Sequence, residues 1–173
     1  MRYPRKFTEE KILYFANTNE HGVHVALTER KDTTLSGLVK SLTGRKMIEL
    51  NEGVTVPNDG RYYRTTPLGQ LYLKLMQTKY AEETKRTGAY MWFADVAELA
   101  FKAFGEELHN DVNSLLSMAE ESSLRTKEHK GEVAMTMINR MSLVLSMSNG
   151  ETFLNPLGQI LLKAMRNEAM VVE

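Results

Sequence analysis

Ten residues recur almost unchanged 89 positions apart. Pro67-Leu-Gly-Gln-Leu-Tyr-Leu-Lys-Leu-Met76 returns as Pro156-Leu-Gly-Gln-Ile-Leu-Leu-Lys-Ala-Met165, with seven of ten positions identical. Thr66 and Asn155, both N-cap types, precede the two copies, and proline is tolerated at the first helical position, so both segments read as helix starts. Upstream of each lies a short β-like stretch with a turn dipeptide, Asp59-Gly60 in one and Asn149-Gly150 in the other. Tight hairpins prefer such pairs because glycine readily takes positive φ. The second hairpin is one residue shorter between its turn glycine and the proline. A spacing of about half the chain predicts two similar small domains in tandem; a solenoid needs at least three shorter units.

The 173 residues suffice for such a pair, and 42% are hydrophobic, enough to build a core. No run approaches the roughly 18 uncharged apolar residues of a membrane span, so no membrane partner is expected. The opening residues, Met1 to Phe7, lack the apolar centre of a signal peptide, so the expected location is cytoplasmic, associated with the nucleoid. With no cysteine, disulfides, thiol nucleophiles, zinc ribbons and iron–sulfur clusters are excluded. Lys+Arg 22 balance Asp+Glu 22, but unevenly along the chain. Residues 1–88 carry 15 basic against 10 acidic groups, a net +5, and residues 89–173 carry 7 against 12, a net −5. The front half therefore suits a polyanion, and the back half suits some other task.

In the first copy, Thr8 is an N-cap with Glu9 and Glu10 in the first turn behind it, and Ile12, Leu13, Phe15 and Ala16 supply an apolar face. Gly22 to Leu27 fits either a strand or a second helix. In Thr33 to Leu42 the residues Leu35, Leu38, Val39 and Leu42 fall at i, i+3, i+4 and i+7, a buried stripe. The opposite side presents Thr33, Thr34, Ser36, Gly37, Lys40 and Ser41, small hydrogen-bonding groups and one cation with no acid among them. Small outward residues let a helix lie deep in a major groove, where hydroxyls and lysine reach base edges and phosphates. Arg45 and Lys46 follow at a turn. Met47 to Leu50 and Val54 to Val56 begin strands, and Arg61 and Arg64 on the returning strand suit contacts to a DNA backbone or minor groove.

Over residues 7–80 this order resembles the winged-helix DNA-binding proteins of the MarR and PadR type. The likeness lies in Thr34 to Glu49, similar to their recognition helix and the turn after it, and in Thr65-Thr-Pro-Leu-Gly69, similar to the short motif opening their next helix. It implies that Thr33, Thr34, Gly37, Lys40 and Ser41 face bases or phosphates and that Arg61 and Arg64 belong to the wing. The wing departs from the family in being short and modestly charged. The expected fold is α+β, mostly helical, as two tandem winged-helix domains with short β-hairpin wings. Residues 1–88 form the basic DNA-binding domain, and 89–173 form an acidic, degenerate one for dimerisation or partner binding.

In the second copy, Ala94 to Phe104 is amphipathic and Asp111 to Met118 starts or continues another helix. Gly131 to Met141 matches the recognition helix, with Val133, Ala134, Met137, Ile138 and Met141 expected inward. Glu132, Met135, Thr136, Asn139 and Arg140 are expected outward, with one cation. Its wing, Leu143 to Met147 and Glu151 to Leu154, has no arginine or lysine, so it gains nothing from counterion release.

Other features read more plainly. His21 and His24 stand three apart without a third ligand at metal spacing. The acid pairs Glu106-Glu107 and Glu120-Glu121 have no nucleophile or oxyanion donor beside them, and no glycine-rich phosphate loop occurs. Met135, Met137, Met141 and Met147 read as core filling. Of Tyr62 and Tyr63, alternation makes one a core residue. Trp92, with Tyr90 and Phe93, is expected to pack between the halves or at a dimer contact. No cofactor, metal site or enzymatic constellation is expected. The expected function is sequence-specific binding of double-stranded DNA by a homodimeric transcriptional regulator. The alternatives are a winged-helix protein–protein module, as in segregation complexes or RNA polymerase adaptors, and a tandem winged-helix replication initiator.

Overall fold

The computed structural model describes residues 8–26, 33–53, 60–83, 89–121, 124–125, 132–146 and 151–166. The protein is α+β and mostly helical, with six helices and two three-stranded antiparallel sheets among those residues. Packing divides the chain into two compact units, Met1–Leu73 and Lys74–Glu173.

The first unit runs α1 (Glu9–Thr18), β1 (Val23–Ala26), α2 (Thr33–Gly44), β2 (Ile48–Leu50), β3 (Gly60–Thr65) and the start of α3 (Pro67–Glu83). Thr8 caps α1 by accepting the Lys11 amide, with Glu9 and Glu10 in the first turn favoured by the helix dipole. Gly22 to Leu27, open between strand and helix in the sequence, forms β1 over Val23–Ala26. The sheet order is β1-β3-β2, with His24 opposite Tyr62 and Glu49 opposite Arg64. Ile12 and Leu13 of α1, Leu42 of α2, Met47, Ile48 and Leu71 are fully buried and form the core of this unit. Val54 to Val56, read as a strand, lie outside the described residues.

The second unit contains the end of α3, then α4 (Ala89–Glu120), β4 (Leu124–Arg125), α5 (Glu132–Arg140), β5 (Val144–Ser146), β6 (Glu151–Leu154) and α6 (Pro156–Met165). Its sheet order, β4-β6-β5, repeats that of the first. The two helical segments expected around Phe104 and Asp111 lie in α4, which is interrupted at Gly105 by φ 74°, ψ 173°. Leu116, Ile138, Met141, Leu143 and Leu161 are fully buried.

The repeated decapeptide has a structural partner: the end of the preceding short helix. In the first unit Met47 N–H donates to Leu42 O (2.9 Å) and Lys46 N–H to Thr43 O (3.1 Å), a Schellman closure with Lys46 at φ 62°. In the second, Leu143 N–H donates to Ile138 O (3.1 Å) and Ser142 N–H to Asn139 O (3.2 Å), with Ser142 at φ 53°. The next helix then caps onto this turn. Thr66 Oγ1 donates to Lys46 O (2.6 Å) and accepts from Gly69 N–H (3.1 Å). Asn155 does the same with two atoms: Nδ2 donates to Ser142 O while Oδ1 accepts from Gly158 N–H (3.0 Å). The Thr66 and Asn155 amides donate to Met47 O and Leu143 O, both at 3.0 Å. A Cβ on Gly69 would lie 2.0 Å from Met47 O, and one on Gly158 would lie 2.2 Å from Leu143 O. Only glycine lets the third helix approach this closely.

Gly158→Ala should therefore cost about 2 kcal/mol or more, because backbone and not a flexible side chain blocks the methyl group. Ser142→Gly should gain about 1 kcal/mol by relieving a left-handed non-glycine residue. Urea unfolding of both variants checks the pair; equal midpoints would contradict the shared-turn account.

Candidate functional site

The outward face of α2 is built by exclusion. Val39 and Leu42 bury one side, and Gly37, Lys40, Ser41, Thr43 and Gly44 are exposed on the rest. The helix has no acidic residue. Thr43 Oγ1 donates back to Val39 O (2.7 Å), which turns its hydroxyl away from solvent. A Cβ on Gly37 or Gly44 would meet nothing within 4 Å, so packing does not require glycine at either place. A glycine inside a helix costs about 1 kcal/mol against alanine, and at Gly37 no packing gain offsets it. What the two glycines leave is a shallow helix surface with Lys40 standing above it. Thr33, Thr34 and Ser36 lie in the first turn of α2, and their side chains lie outside the described part of the structure.

Lys46 is exposed just past the end of α2, and Arg61 is exposed on β3. Among the described residues neither they nor Lys40 makes an ion pair. Arg64 is exposed but bonded to Glu49, Nε to Oε1 2.9 Å, across the β2–β3 pair. Strand alternation puts Arg61 and Arg64 on opposite faces of the sheet, so the structure does not bring the two expected wing cations together. On the face of Arg64 lie His24 and Tyr62, ring centroids 5.0 Å apart, with His21 6.0 Å from Tyr62. The two histidines stand in a turn and a strand, both near one ring, and not on a helix. Tyr62 and Tyr63, of which alternation predicted one in the core, are both half-buried.

Arg45, expected among the polyanion contacts, is committed to the interior of its own unit. Its Nη1 lies 2.7 Å from Glu9 Oε1, with side chains only 22% and 27% exposed, and its guanidinium carbon sits 5.0 Å from the Tyr72 ring centroid. Tyr72 Oη donates to Glu9 Oε2 at 3.4 Å. Burial by itself lowers the Arg45 pKa, but Tyr72 and the Glu9 carboxylate outweigh it, and the guanidinium is held above its ordinary value. Burial pushes the Tyr72 hydroxyl up, against the opposing pull of Arg45. This cluster ties α1 to the turn after α2 and to α3, a structural role that sequence spacing alone did not reveal.

The shared turn sets an equivalence between the units, Leu42 with Ile138 and Lys46 with Ser142, an offset of 96. By that offset Gly37 corresponds to Val133, Lys40 to Thr136, Ser41 to Met137 and Gly44 to Arg140. The cross-strand pair Glu49–Arg64 corresponds to Leu145–Phe153 in identical register. Val133, expected inward, is 62% exposed, and Leu145 is 61% exposed. Val133 stands in the first turn of α5, ahead of the buried Ala134 and Ile138, where its own unit places no cover over it. Met141 is buried and Met135 and Met137 are half-buried; Met147 lies outside the described residues. Tyr90, Trp92 and Phe93 fall within α4, and their side chains lie outside the described part.

Among the described residues no three His, Asp or Glu side chains group as metal ligands, and no helix is long and apolar enough to cross a membrane. Comparison with family models, with curated proteins and with solved structures finds no match.

Arg45→Ala should lower stability by about 1 kcal/mol through the lost ion pair and ring contact, whereas Lys40→Ala should leave the melting temperature nearly unchanged. Thermal melts of the two variants separate the roles. The raised Tyr72 pKa means that folding resists ionisation. The stability it contributes is intact below the ordinary tyrosine range and drains away as pH rises through and beyond it. Tyr72→Phe should flatten the alkaline limb of a melting-temperature series against pH, and an unaltered slope would refute this account.

Proposed function

We propose that the first unit is a winged-helix domain that binds duplex DNA through the outward face of α2, and that the protein is a sequence-specific regulator acting as a homodimer. The observation that carries this reading is the acid-free surface of α2, with Lys40 between exposed Gly37 and Gly44 and Lys46 just beyond. A helix enters a major groove when its outer side chains are small and its charge is positive. The order helix, strand, helix, two strands, helix with a three-stranded sheet supports the winged-helix assignment. In this reading Ser41 and the first-turn residues Thr33, Thr34 and Ser36 read base edges, Lys40 and Lys46 meet phosphates, and Arg61 reaches the backbone from β3. Arg64 contributes only by exchanging Glu49 for phosphate. Arg45 is not a contact.

The second unit is proposed to serve assembly. At the positions that correspond to Lys40 and to the Glu49–Arg64 pair it carries Thr136 and Leu145–Phe153, which offer no cation. A two-fold dimer would present two α2 helices to successive major grooves about 34 Å apart, which calls for a palindromic site.

The test is a titration of fluorescent duplex DNA, selected from genomic fragments with the purified protein, at several salt concentrations. Lys40→Ala and Arg61→Ala should each weaken binding and reduce the salt slope by about one. Unchanged affinity in both variants would remove the assignment.

A further inference from the structure

The break in α4 opens a groove of about 430 Å³ in the second unit. Among the described residues its apolar lining comes from Phe104, Leu108 and Val133 and its charged lining from Glu106, Glu107 and Asp111, with no lysine or arginine in that set. The volume lies within the roughly 300–1,000 Å³ of ligand pockets. Val133 is the residue that replaces the bare Gly37 of the first unit, so the fold itself does not demand an apolar side chain there. An exposed valine at the lip of an acid-rimmed apolar groove marks a contact surface. Three carboxylates around it select a cationic occupant, and they oppose pairing of the groove with its own copy.

We infer that this groove receives residues 1–7 of a second copy of the chain, Met-Arg-Tyr-Pro-Arg-Lys-Phe, a segment that lies outside the described residues. Arg2, Arg5 and Lys6 match the three carboxylates in number, no acid intervenes, and Tyr3 and Phe7 supply apolar anchors for Phe104, Leu108 and Val133. Outside residues 1–8, no seven-residue stretch of the chain combines three cations with two aromatic rings. Reciprocal exchange of the two segments closes a two-fold dimer with no unpaired end left to propagate. The inference rests on the reading of the second unit as the assembly unit, and it gives that unit a defined ligand, a basic aromatic segment.

Sedimentation velocity of the full chain over a range of concentrations tests it. The expected result is a reversible dimer that weakens with salt and is dissociated by a synthetic peptide of residues 1–7. Val133→Glu and the triple change Arg2→Glu, Arg5→Glu, Lys6→Glu should each weaken it by about tenfold or more. Val133 is exposed, so the first variant should keep its wild-type melting temperature, and the triple change tests the other side of the contact. Mixed with a chain carrying Glu106→Lys and Glu107→Lys, the triple variant should regain association that neither shows alone. A dimer indifferent to peptide, to Val133→Glu and to charge exchange overturns the docking and leaves the assembly reading standing. A chain that is monomeric at every concentration overturns both. Lys40→Ala, which tests DNA binding, should leave the dimer untouched.

Discussion

The Met47 carbonyl accepts the Thr66 amide while the α-carbon of Gly69 lies against it, and the Leu143 carbonyl stands in the same relation to Asn155 and Gly158. Each unit is organised around this contact. It ends the second helix of the unit, starts the next helix after the hairpin, and fixes where the edge strand β2 or β5 begins and the central strand β3 or β6 ends. The hairpin between them is therefore anchored at both feet, by the turn on one side and by the cap on the other. A side chain at either glycine would push the third helix off the turn and open the core beneath Leu42 or Ile138. The decapeptide repeats because this geometry repeats: proline starts the helix, glycine permits the approach, and the following aliphatic positions fill the core.

Lys46 and Ser142 show how firmly that contact dictates the backbone. Both occupy the left-handed region where glycine is the natural choice, at a cost of about 1–2 kcal/mol each. Neither relaxes, because its carbonyl is held by the Thr66 hydroxyl or the Asn155 amide and its amide closes the preceding helix. Threonine and asparagine look unlike, yet each offers one donor toward the turn and one acceptor toward the third residue of the new helix. The local chemistry is conserved between the two units where the residue type is not.

Much of this skeleton was legible. The cap residues, the prolines and the i, i+3, i+4, i+7 stripe placed α2, α3 and α6, since each signal is local and the core rewards it directly. The misses have a common origin in contacts remote along the chain. Arg45 read as a free cation at a turn because Glu9, 36 positions earlier, gives no sign in sequence that it ends beside it. Val133 shares the periodicity of the buried Ala134 and Ile138, yet it stands exposed in the first turn of α5, beside the same groove as Gly105. His21 and His24 stand three apart, as on one turn of a helix, yet a turn and a strand carry them, each near Tyr62. Arg61 and Arg64 both belong to β3, and three positions along a strand reverse the side. At the candidate site, composition identified the acid-free face of α2, and the structure determined which cations remain on it.

That remainder bears on how the protein would act. If α2 does meet DNA, Lys40, Lys46 and Arg61, cations without an ion pair among the described residues, would neutralise about three phosphates per unit, and a salt slope near −2.7 would follow at about 0.9 per contact. So few phosphate contacts would leave one unit a small electrostatic share of binding. Two first units held together would double the slope and convert the second contact into an intramolecular one, at an effective concentration in the millimolar range for short connections. With a surface so sparing in charge, tight binding to DNA would call for assembly. On the same backbone frame the second unit carries exposed valine and leucine at the positions of glycine and glutamate, a surface that would suit association in place of a cationic face.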